Sequence, residues 1–183
     1  MVDKYSTEIE RVMISAEEIA VRLKEVAAKL DEYYEGREPV AICILKGSVV
    51  FYADLIRAMK TPVSVEFMKV SSYGFGTESS GKLSVSLDIL SSIEGRDVLI
   101  VEDIIDSGNT MYALKNMLAT RNPASIKIVT LLDKPARRVA DISPDFTCFE
   151  IEDEFVIGYG LDYAEKYRNL PFVGILKCSV YEK

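Results

Sequence analysis

Short apolar runs that alternate with helical patterns are the feature that most constrains this chain. The runs VAICIL at residues 40–45 and DVLIVED at residues 97–103 are typical of strands buried on both faces. A helical pattern at residues 108–120 and another strand pattern, SIKIVTLL, at residues 125–132 follow them. Strands that alternate with helices in this way predict an α/β fold, with a mostly parallel β-sheet flanked by helices.

The other patterns are shorter or more polar. Ser15 and Glu18 form a capping-box pattern at the start of an amphipathic helix that reaches about Tyr34. The polar stretch SSYGFGTESSGK at residues 71–82 predicts a loop, either a lid over a site or a mobile surface hairpin. Further strand patterns lie at residues 64–70, 83–90, 146–151, 155–159 and 172–176. In a parallel sheet, ligands bind beyond the carboxyl ends of the strands, which here means after Leu45, Val70, Val101 and Leu132.

Composition excludes several classes of chemistry. The chain has no histidine, so no imidazole can act as a base or a metal ligand, and any metal must have oxygen ligands, as Mg²⁺ does. With 22 basic and 29 acidic residues the net charge is −7, which argues against nucleic-acid binding. Three cysteines without CxxC spacing, a charged N-terminus and no long apolar run favour a cytoplasmic protein. A length of 183 residues suits one domain.

The sharpest local pattern is VLIVEDIIDSGNTM at residues 98–111. An apolar strand leads to two carboxylates, Glu102 and Asp103, and a short polar turn then enters a helix. Serine, glycine and threonine at a helix start offer N–H groups and hydroxyls to an anion, aided by the helix dipole. The acids suit the same ligand only if it also presents hydroxyls, Mg²⁺ or developing positive charge. A purely structural alternative is that Asp106 and Ser107 cap the helix while the two acids are solvated.

This segment resembles the phosphoribosyl pyrophosphate (PRPP) signature of the type I phosphoribosyltransferases. Three other segments are similar to those of the hypoxanthine-guanine phosphoribosyltransferases: LKGS at residues 45–48, LDK at residues 132–134 and FVIGYGLDY at residues 155–163. Arg168 follows the last of these. The resemblance runs in order from about residue 6 to about residue 180, which is nearly the whole chain.

The resemblance implies the type I phosphoribosyltransferase fold over a single domain, residues 1–183. The expected core covers about residues 35–142, and a small hood subdomain comes from about residues 1–14 and 143–183. The family usually forms homodimers or homotetramers, and its partners are small-molecule substrates rather than nucleic acid or membrane.

The resemblance also implies roles for the residues of the signature. Glu102 and Asp103 hold the ribose hydroxyls, which we expect only if the strand has ended by Glu102, because neighbouring strand residues point to opposite faces. Asp106 is the implied catalytic general acid/base at purine N7. The residues implied to bind the ribose phosphate are Glu102, Asp103, Asp106, Ser107, Gly108, Asn109 and Thr110. At the position of Asn109 the family often has lysine or another residue.

Other segments complete the implied site. The pyrophosphate-binding residues are Lys46, Gly47 and Arg168. The purine-binding residues are Lys134, Phe155, Val156 and Asp162, and a cationic donor such as Lys134 favours a 6-oxo over a 6-amino group. The residues implied to bind the cofactor, Mg²⁺, are Glu102, Asp103 and Asp162. The residues that match the lid loop of the family are Ser72, Tyr73 and Gly74.

The implied activity is transfer of a 5-phosphoribosyl group from Mg²⁺-PRPP to N9 of hypoxanthine or guanine, as in purine salvage. Two alternatives stay open at this point. One is a xanthine-preferring enzyme of the same fold, and the other is a non-catalytic regulator that senses PRPP. The acidic net charge and the presence of Lys46, Asp106 and Arg168 favour the enzyme.

Overall fold

The structure, a computed structural model, describes residues 5, 7–72 and 83–181. Its strands are β1 (Ile9–Ile14), β2 (Val40–Ile44), β3 (Ser64–Ser72), β4 (Leu83–Leu87), β5 (Asp97–Ile105), β6 (Ser125–Asp133), β7 (Phe146–Glu150), β8 (Val156–Ile157) and β9 (Val173–Leu176). Its helices are α1 (Ala16–Tyr33), α2 (Val49–Ala58), α3 (Asn109–Ala119) and α4 (Cys178–Tyr181), with a short 3₁₀ turn at Pro135–Arg137. No helix in this part of the chain is long and apolar enough to cross a membrane.

Six strands form the main sheet in the order β4-β3-β2-β5-β6-β7. All neighbouring pairs are parallel except β3 and β4, which pair as an antiparallel hairpin at one edge. Helix α2 connects β2 to β3 and α3 connects β5 to β6, whereas the connection from β6 to β7 contains only the short 3₁₀ turn. The prediction of an α/β fold with a mostly parallel sheet is therefore confirmed.

Each face of the sheet has its own apolar core, because alternate strand residues point to opposite sides. Ala41, Cys43, Leu99 and Val101 pack on the side of α1 and α2. Their neighbours on β2 and β5, Val40, Ile42, Val98 and Ile100, pack on the other side with Met111, Leu114 and Leu118 of α3. The central strands are thus covered on both faces, which explains why they are continuously apolar.

Helix α1 begins at the predicted capping box. The side-chain oxygen of Ser15 accepts from the N–H of Glu18, and the Glu18 carboxylate accepts from the N–H of Ser15 at 2.8 Å. Ile19, Leu23 and Leu30 form the buried face of the helix. Local sequence signals therefore give both the start of this helix and the side that it buries.

A second, antiparallel sheet of three strands has the order β1-β9-β8. Ile157, Tyr167 and Phe172 belong to its separate small core. Strand β7, however, pairs with β6 in the main sheet, from Val129↔Phe146 to Asp133↔Glu150. The division between the two sheets therefore falls after Glu150 rather than near residue 143, because residues 146–150 extend the main sheet at its edge.

Two expectations about chain segments need correction. Strand β5 does not end by Glu102 but continues to Ile105, because its pairing with β6 continues to Ile105↔Asp133 while its pairing with β2 stops at Val101. Ser71 and Ser72 do not begin a loop but belong to β3, where they pair with Ser84 and Leu83. Of the predicted lid residues, Tyr73 and Gly74 lie outside the described residues.

Candidate active site

A cleft of about 450 Å³ opens at the carboxyl ends of β2, β3 and β5. This is the edge of the sheet where the strand-end rule predicts a ligand. The predicted site residues that line it are Lys46, Gly47, Glu102, Asp103, Asp106, Ser107, Gly108, Thr110, Asp162 and Arg168. Segments that are far apart in the sequence therefore converge on one cleft.

Glu102 and Asp103 lie side by side in the cleft, although they are consecutive residues of a strand. Beyond Val101 the strand has no partner on the β2 side, so its edge opens into the cleft. Burial, followed by repulsion from Asp103, raises the pKa of Glu102 well above its ordinary value, and burial likewise raises the pKa of Asp103. No salt bridge within residues 7–72 and 83–181 reaches either carboxylate. The pair is therefore suited to a ligand that brings hydroxyls or a cation.

The turn after β5 and the start of α3 line the cleft. Gly108 has φ 81°, and a Cβ at this position would lie 2.7 Å from Cδ of Arg138 and 2.8 Å from Cγ2 of Ile142. Glycine is therefore required for its backbone conformation and for the space around it. The N–H of Tyr112 donates to the carbonyl of Gly108 at 2.9 Å, so the amides that precede Tyr112 have no backbone acceptor within α3, although that of Asn109 donates to Oγ of Ser107 at 3.5 Å. Such a helix start binds phosphate.

Arg138 supports this turn from behind, and sequence reasoning missed it. Its Nε donates to the carbonyl of Asp106 at 3.1 Å and its Nη1 to the carbonyl of Ile142 at 2.6 Å. It also forms an ion pair with the buried carboxylate of Asp133 at the end of β6. Arg138 therefore fixes the backbone of the turn to the neighbouring strand, and only the RR pair after LDKPA in the sequence hinted at it.

Asp106 lies at the mouth of the turn, with its side chain about half exposed. Nε of Arg137 lies 2.9 Å from Oδ1 of Asp106, although no hydrogen-bond donor is aligned with that buried oxygen. Nη1 of Arg137 also donates to the Asp153 carboxylate at 3.1 Å. The guanidinium therefore links the predicted catalytic acid to the loop before β8, a contact that the sequence did not predict.

Lys46 and Gly47 form the loop after β2. The Leu45–Lys46 peptide bond is cis. A Cβ on Gly47 would lie 1.5 Å from Oδ2 of Asp103, and a Cβ on Gly160 would lie 2.1 Å from the carbonyl oxygen of Gly47. Gly47 is therefore packed between the carboxylate pair and the 158–161 turn, so that this loop joins the two ends of the cleft.

Asp162 and Arg168 line the same cleft as the turn. Nη2 of Arg168 is 2.8 Å from Oδ1 of Asp162, and its Nη1 donates to the carbonyl of Gly160 at 2.9 Å. Glu165, which was not among the predicted site residues, lies in the same cleft and pairs with both Lys46 and Arg168. The two predicted pyrophosphate-binding cations are thus close enough to share one carboxylate.

The predicted purine-binding residues lie beside the cleft rather than in its lining, with the exception of Asp162. Lys134 is 7% exposed, and its Nζ donates to the carbonyl of Glu154 at 2.7 Å, directly before Phe155. The Phe155 ring is stacked with Tyr181 of α4, with centroids 4.8 Å apart, and meets Tyr163 edge-on at 5.6 Å. The structure therefore brings Lys134, Phe155 and Val156 together, and adds Tyr181, which sequence reasoning missed.

The acids of the cleft fit a cation that the substrate also coordinates. Within the described part of the chain, no three acidic or cysteine side chains form a ready cage for a metal ion. Asp162 is paired with Arg168, whereas no salt bridge of the described chain reaches Glu102 or Asp103. Oxygen donors are the ligands of Mg²⁺, which usually keeps substrate or water oxygens in its shell. Metal binding by Glu102, Asp103 and Asp162 stays a prediction.

Comparison with known proteins identifies the family. The model of the phosphoribosyl transferase domain matches residues 13–164. The hypoxanthine-guanine phosphoribosyltransferase of Bacillus subtilis (strain 168) is 54% identical over 175 residues, which are 96% of this chain and 97% of that protein. The chain belongs to the hypoxanthine-guanine phosphoribosyltransferase family.

Other members of the family are similar to this chain over nearly its whole length. The hypoxanthine-guanine phosphoribosyltransferase of Streptococcus thermophilus (strain CNRZ 1066) is 47% identical and covers 96% of this chain and 98% of its own. A crystal structure of a hypoxanthine phosphoribosyltransferase from Staphylococcus aureus has a TM-score of 0.94 at 47% identity, covering 97% of this chain and 96% of that one. As a member of the hypoxanthine-guanine phosphoribosyltransferase family, the chain is a transferase enzyme with the predicted fold.

Proposed function

We propose that this enzyme transfers the 5-phosphoribosyl group of PRPP to N9 of hypoxanthine or guanine and releases pyrophosphate. One observation carries the proposal. The adjacent carboxylates Glu102 and Asp103 lie with the start of α3 in the same cleft as Lys46 and Arg168. A ligand that suits this arrangement carries vicinal hydroxyls, a phosphate and a second, more strongly charged anionic group.

In the proposed complex, the α3 turn binds the 5′-phosphate through the backbone amides and hydroxyls of residues 106–110. Glu102 and Asp103 accept hydrogen bonds from the ribose hydroxyls. Lys46 and Arg168 bind the diphosphate, and the planar Arg168 fork suits its oxygens. The substrate is therefore held at both ends, with C1′ between the acidic and the basic residues.

The reaction forms a bond between C1′ and purine N9 and breaks the bond between C1′ and the diphosphate oxygen, which leaves with the electron pair. Positive charge develops on the ribose, next to the carboxylates, while negative charge grows near Lys46 and Arg168. Asp106 takes the proton that the purine loses at N7. Lys134 donates to the purine 6-oxo group, and Phe155 packs on the ring.

Mg²⁺ bound to the diphosphate supplies charge neutralisation for the leaving group. Glu102, Asp103 and Asp162 are the side chains proposed to hold it, directly or through water. We further propose a cytoplasmic location, supported by free thiols at Cys43, Cys148 and Cys178. A homodimer or homotetramer is the assembly proposed from the family.

Initial rates with PRPP and Mg²⁺ test the proposal when hypoxanthine, guanine, xanthine and adenine are compared side by side. We expect nucleotide monophosphate and pyrophosphate from hypoxanthine, guanine or both, and little product from adenine. Fastest turnover with xanthine would assign the enzyme to the xanthine-preferring alternative. No product from any 6-oxopurine would refute the proposal.

A further inference from the structure

Glu165 occupies the cations that a diphosphate needs. Nζ of Lys46 lies 3.1 Å from each carboxylate oxygen of Glu165. Nη2 of Arg168 lies 3.4 Å from Oε2 of the same residue. The Glu165 side chain is 66% exposed and lines the cleft, so the carboxylate is held there by these cations and not by burial. A carboxylate that bridges a lysine and an arginine uses the same donors that phosphate oxygens would use.

The local backbone directs Glu165 toward these partners. Ala164 and Glu165 have φ values of 51° and 62°, a left-handed conformation that turns the chain tightly. The N–H of Glu165 donates to Oδ2 of Asp162 at 2.8 Å, while Oδ1 of Asp162 pairs with Arg168. The hydrogen bond from Lys46 lowers the pKa of Glu165, so the carboxylate is charged at neutral pH. The backbone conformation of the loop therefore helps to position Glu165, so its place does not depend on the side-chain rotamer alone.

The pair is also one that a ligand can displace. Both Lys46 and Glu165 are more than half exposed, with side-chain accessibilities of 52% and 66%. Exposed ion pairs of this kind contribute little to stability, so a competing ligand can replace them. A diphosphate with Mg²⁺ carries more charge than one carboxylate and offers more oxygens to the same two cations.

We infer that Glu165 is a positioning residue that stands in for the diphosphate: it pairs with Lys46 and Arg168 in the empty enzyme and yields both cations when the substrate binds. The inference rests on the proposed function, because it takes Lys46 and Arg168 as the diphosphate site. Glu165 thereby weakens the binding of pyrophosphate, both as part of PRPP and as the product. The exchange of partners makes and breaks no covalent bond.

The test compares Glu165→Gln with the wild-type enzyme. We expect the inhibition constant of pyrophosphate and the KM for PRPP to fall about threefold, since a competing ion pair of ordinary strength is removed. The KM for the purine should not change, because Glu165 contacts Asp162 through its backbone N–H, which glutamine retains. Glu165→Asp retains the charge and should return the pyrophosphate constant toward the wild-type value.

A matched control removes the same charge elsewhere. Glu35 is exposed beyond the end of α1 and borders a different surface depression. Glu35→Gln should leave the pyrophosphate constant at the wild-type value, which separates a local effect from a change in net charge. Thermal melting of each variant shows that it is folded.

Calorimetric titration of the free enzyme with pyrophosphate and Mg²⁺ separates failure of this inference from failure of the proposed function. An unchanged or weaker pyrophosphate affinity in folded Glu165→Gln would overturn the inference, since the carboxylate would then not compete for the cations. Wild-type enzyme that converts no purine base would overturn the proposed function, whereas the titration would still report whether Glu165 opposes pyrophosphate.

Discussion

The two ends of the cleft handle charge in different ways. At the β5–α3 end, the groups that face a ligand are backbone N–H groups and two acids, Glu102 and Asp103, that no salt bridge of the described chain reaches. At the other end, Lys46 and Arg168 are already paired with Asp162 and Glu165. One end is arranged in advance for its ligand, and the other must exchange partners to bind.

The difference follows from the elements that build each end. The first end lies where a strand passes into a helix, and Arg138 ties that turn to β6. The second end lies on the 158–168 segment, where Tyr159, Ala164, Glu165 and Tyr167 have positive φ values without being glycine. Regular elements fix backbone donors rigidly, whereas exposed side chains on a loop can change partners at low cost.

The largest effect is expected from Asp106→Asn, which tests whether the β5–α3 end of the cleft also supplies the catalytic group. The amide cannot take the purine proton, so kcat should fall about 100-fold to 1,000-fold. The KM for PRPP should change little, because the neighbouring backbone amides remain. Steady-state kinetics measure both constants.

Asp153→Asn is the matched control for this variant. Asp153 pairs with the same Arg137 as Asp106 does, and its side chain is exposed to a similar degree, 52% against 46%. Loss of Asp153 should leave most of the turnover. Oδ1 of Asp153 also lies 3.5 Å from Nζ of Lys134, so the KM for the purine is measured too. Equal losses of kcat with an unchanged KM for the purine would show that Asp106 acts through Arg137 rather than on the substrate.

A smaller loss is expected from Gly47→Ala, which tests whether the two ends are independent. The new Cβ would lie 1.5 Å from Oδ2 of Asp103, so that the carboxylate or the Lys46 loop must move. A displacement of about 1 Å in an active site costs about 100-fold in rate, and we expect a loss of this size in kcat/KM for PRPP. Gly36→Ala is the control, because a Cβ there meets nothing within 4 Å and only the positive φ is strained. Wild-type kinetics for Gly47→Ala would show that the ends tolerate separate movement.

Lys134→Gln tests whether the purine-binding residues, like the β5–α3 end of the cleft, are already positioned before the ligand binds. The Lys134 ammonium is buried and already oriented by the carbonyl of Glu154. Loss of a charged donor to the 6-oxo group should reduce the preference for hypoxanthine over adenine about tenfold or more. The ratio of the two kcat/KM values measures it, and an unchanged ratio would remove Lys134 as the reader of position 6.

Local signals in the sequence explain what could be predicted. The capping box of Ser15 and Glu18, the apolar strands and the turn at Gly108 are written in neighbouring residues, so their structures followed from the sequence. The extension of β5 to Ile105 did not, because it depends on continued pairing with β6 after β2 has ended. Strand register is a property of two segments, and no pattern within one of them reveals it.

The site shows the same limit. The resemblance supplied the residues that touch the substrates in the family, and most of them line the cleft. Glu165 and Arg138 were not predicted, because their roles come from long-range contacts. Lys46 and Glu165, for example, are 119 residues apart in the chain. The stacking of Tyr181 on Phe155 likewise joins α4 to the residue before β8. Such contacts follow from the fold, not from spacing.

The smallest expected effect is on stability rather than turnover, and it concerns the acid pair Glu102 and Asp103. Because the pKa of Glu102 is raised in the folded protein, the folded state holds a proton that the unfolded chain releases above its ordinary pKa of about 4.5. The free energy of unfolding of the empty enzyme should therefore decrease as the pH rises from there through the raised pKa. Glu102→Gln removes this loss, so it should be more stable than the wild type at neutral pH and about equally stable below the ordinary pKa.

Denaturant unfolding across this pH range measures the difference, with Glu165→Gln as the contrast from the other end. The pKa of Glu165 is lowered by Lys46, so its contribution has the opposite sign: it is present above the ordinary pKa and is lost as the pH falls through the lowered value. Ligand binding should reverse the effect at Glu102, because an ionised pair binds Mg²⁺ and ribose hydroxyls better and PRPP should then stabilise the enzyme more as the pH rises. Parallel pH profiles for the two variants would contradict the distinction between Glu102, which no salt bridge of the described chain reaches, and Glu165, which pairs with Lys46 and Arg168.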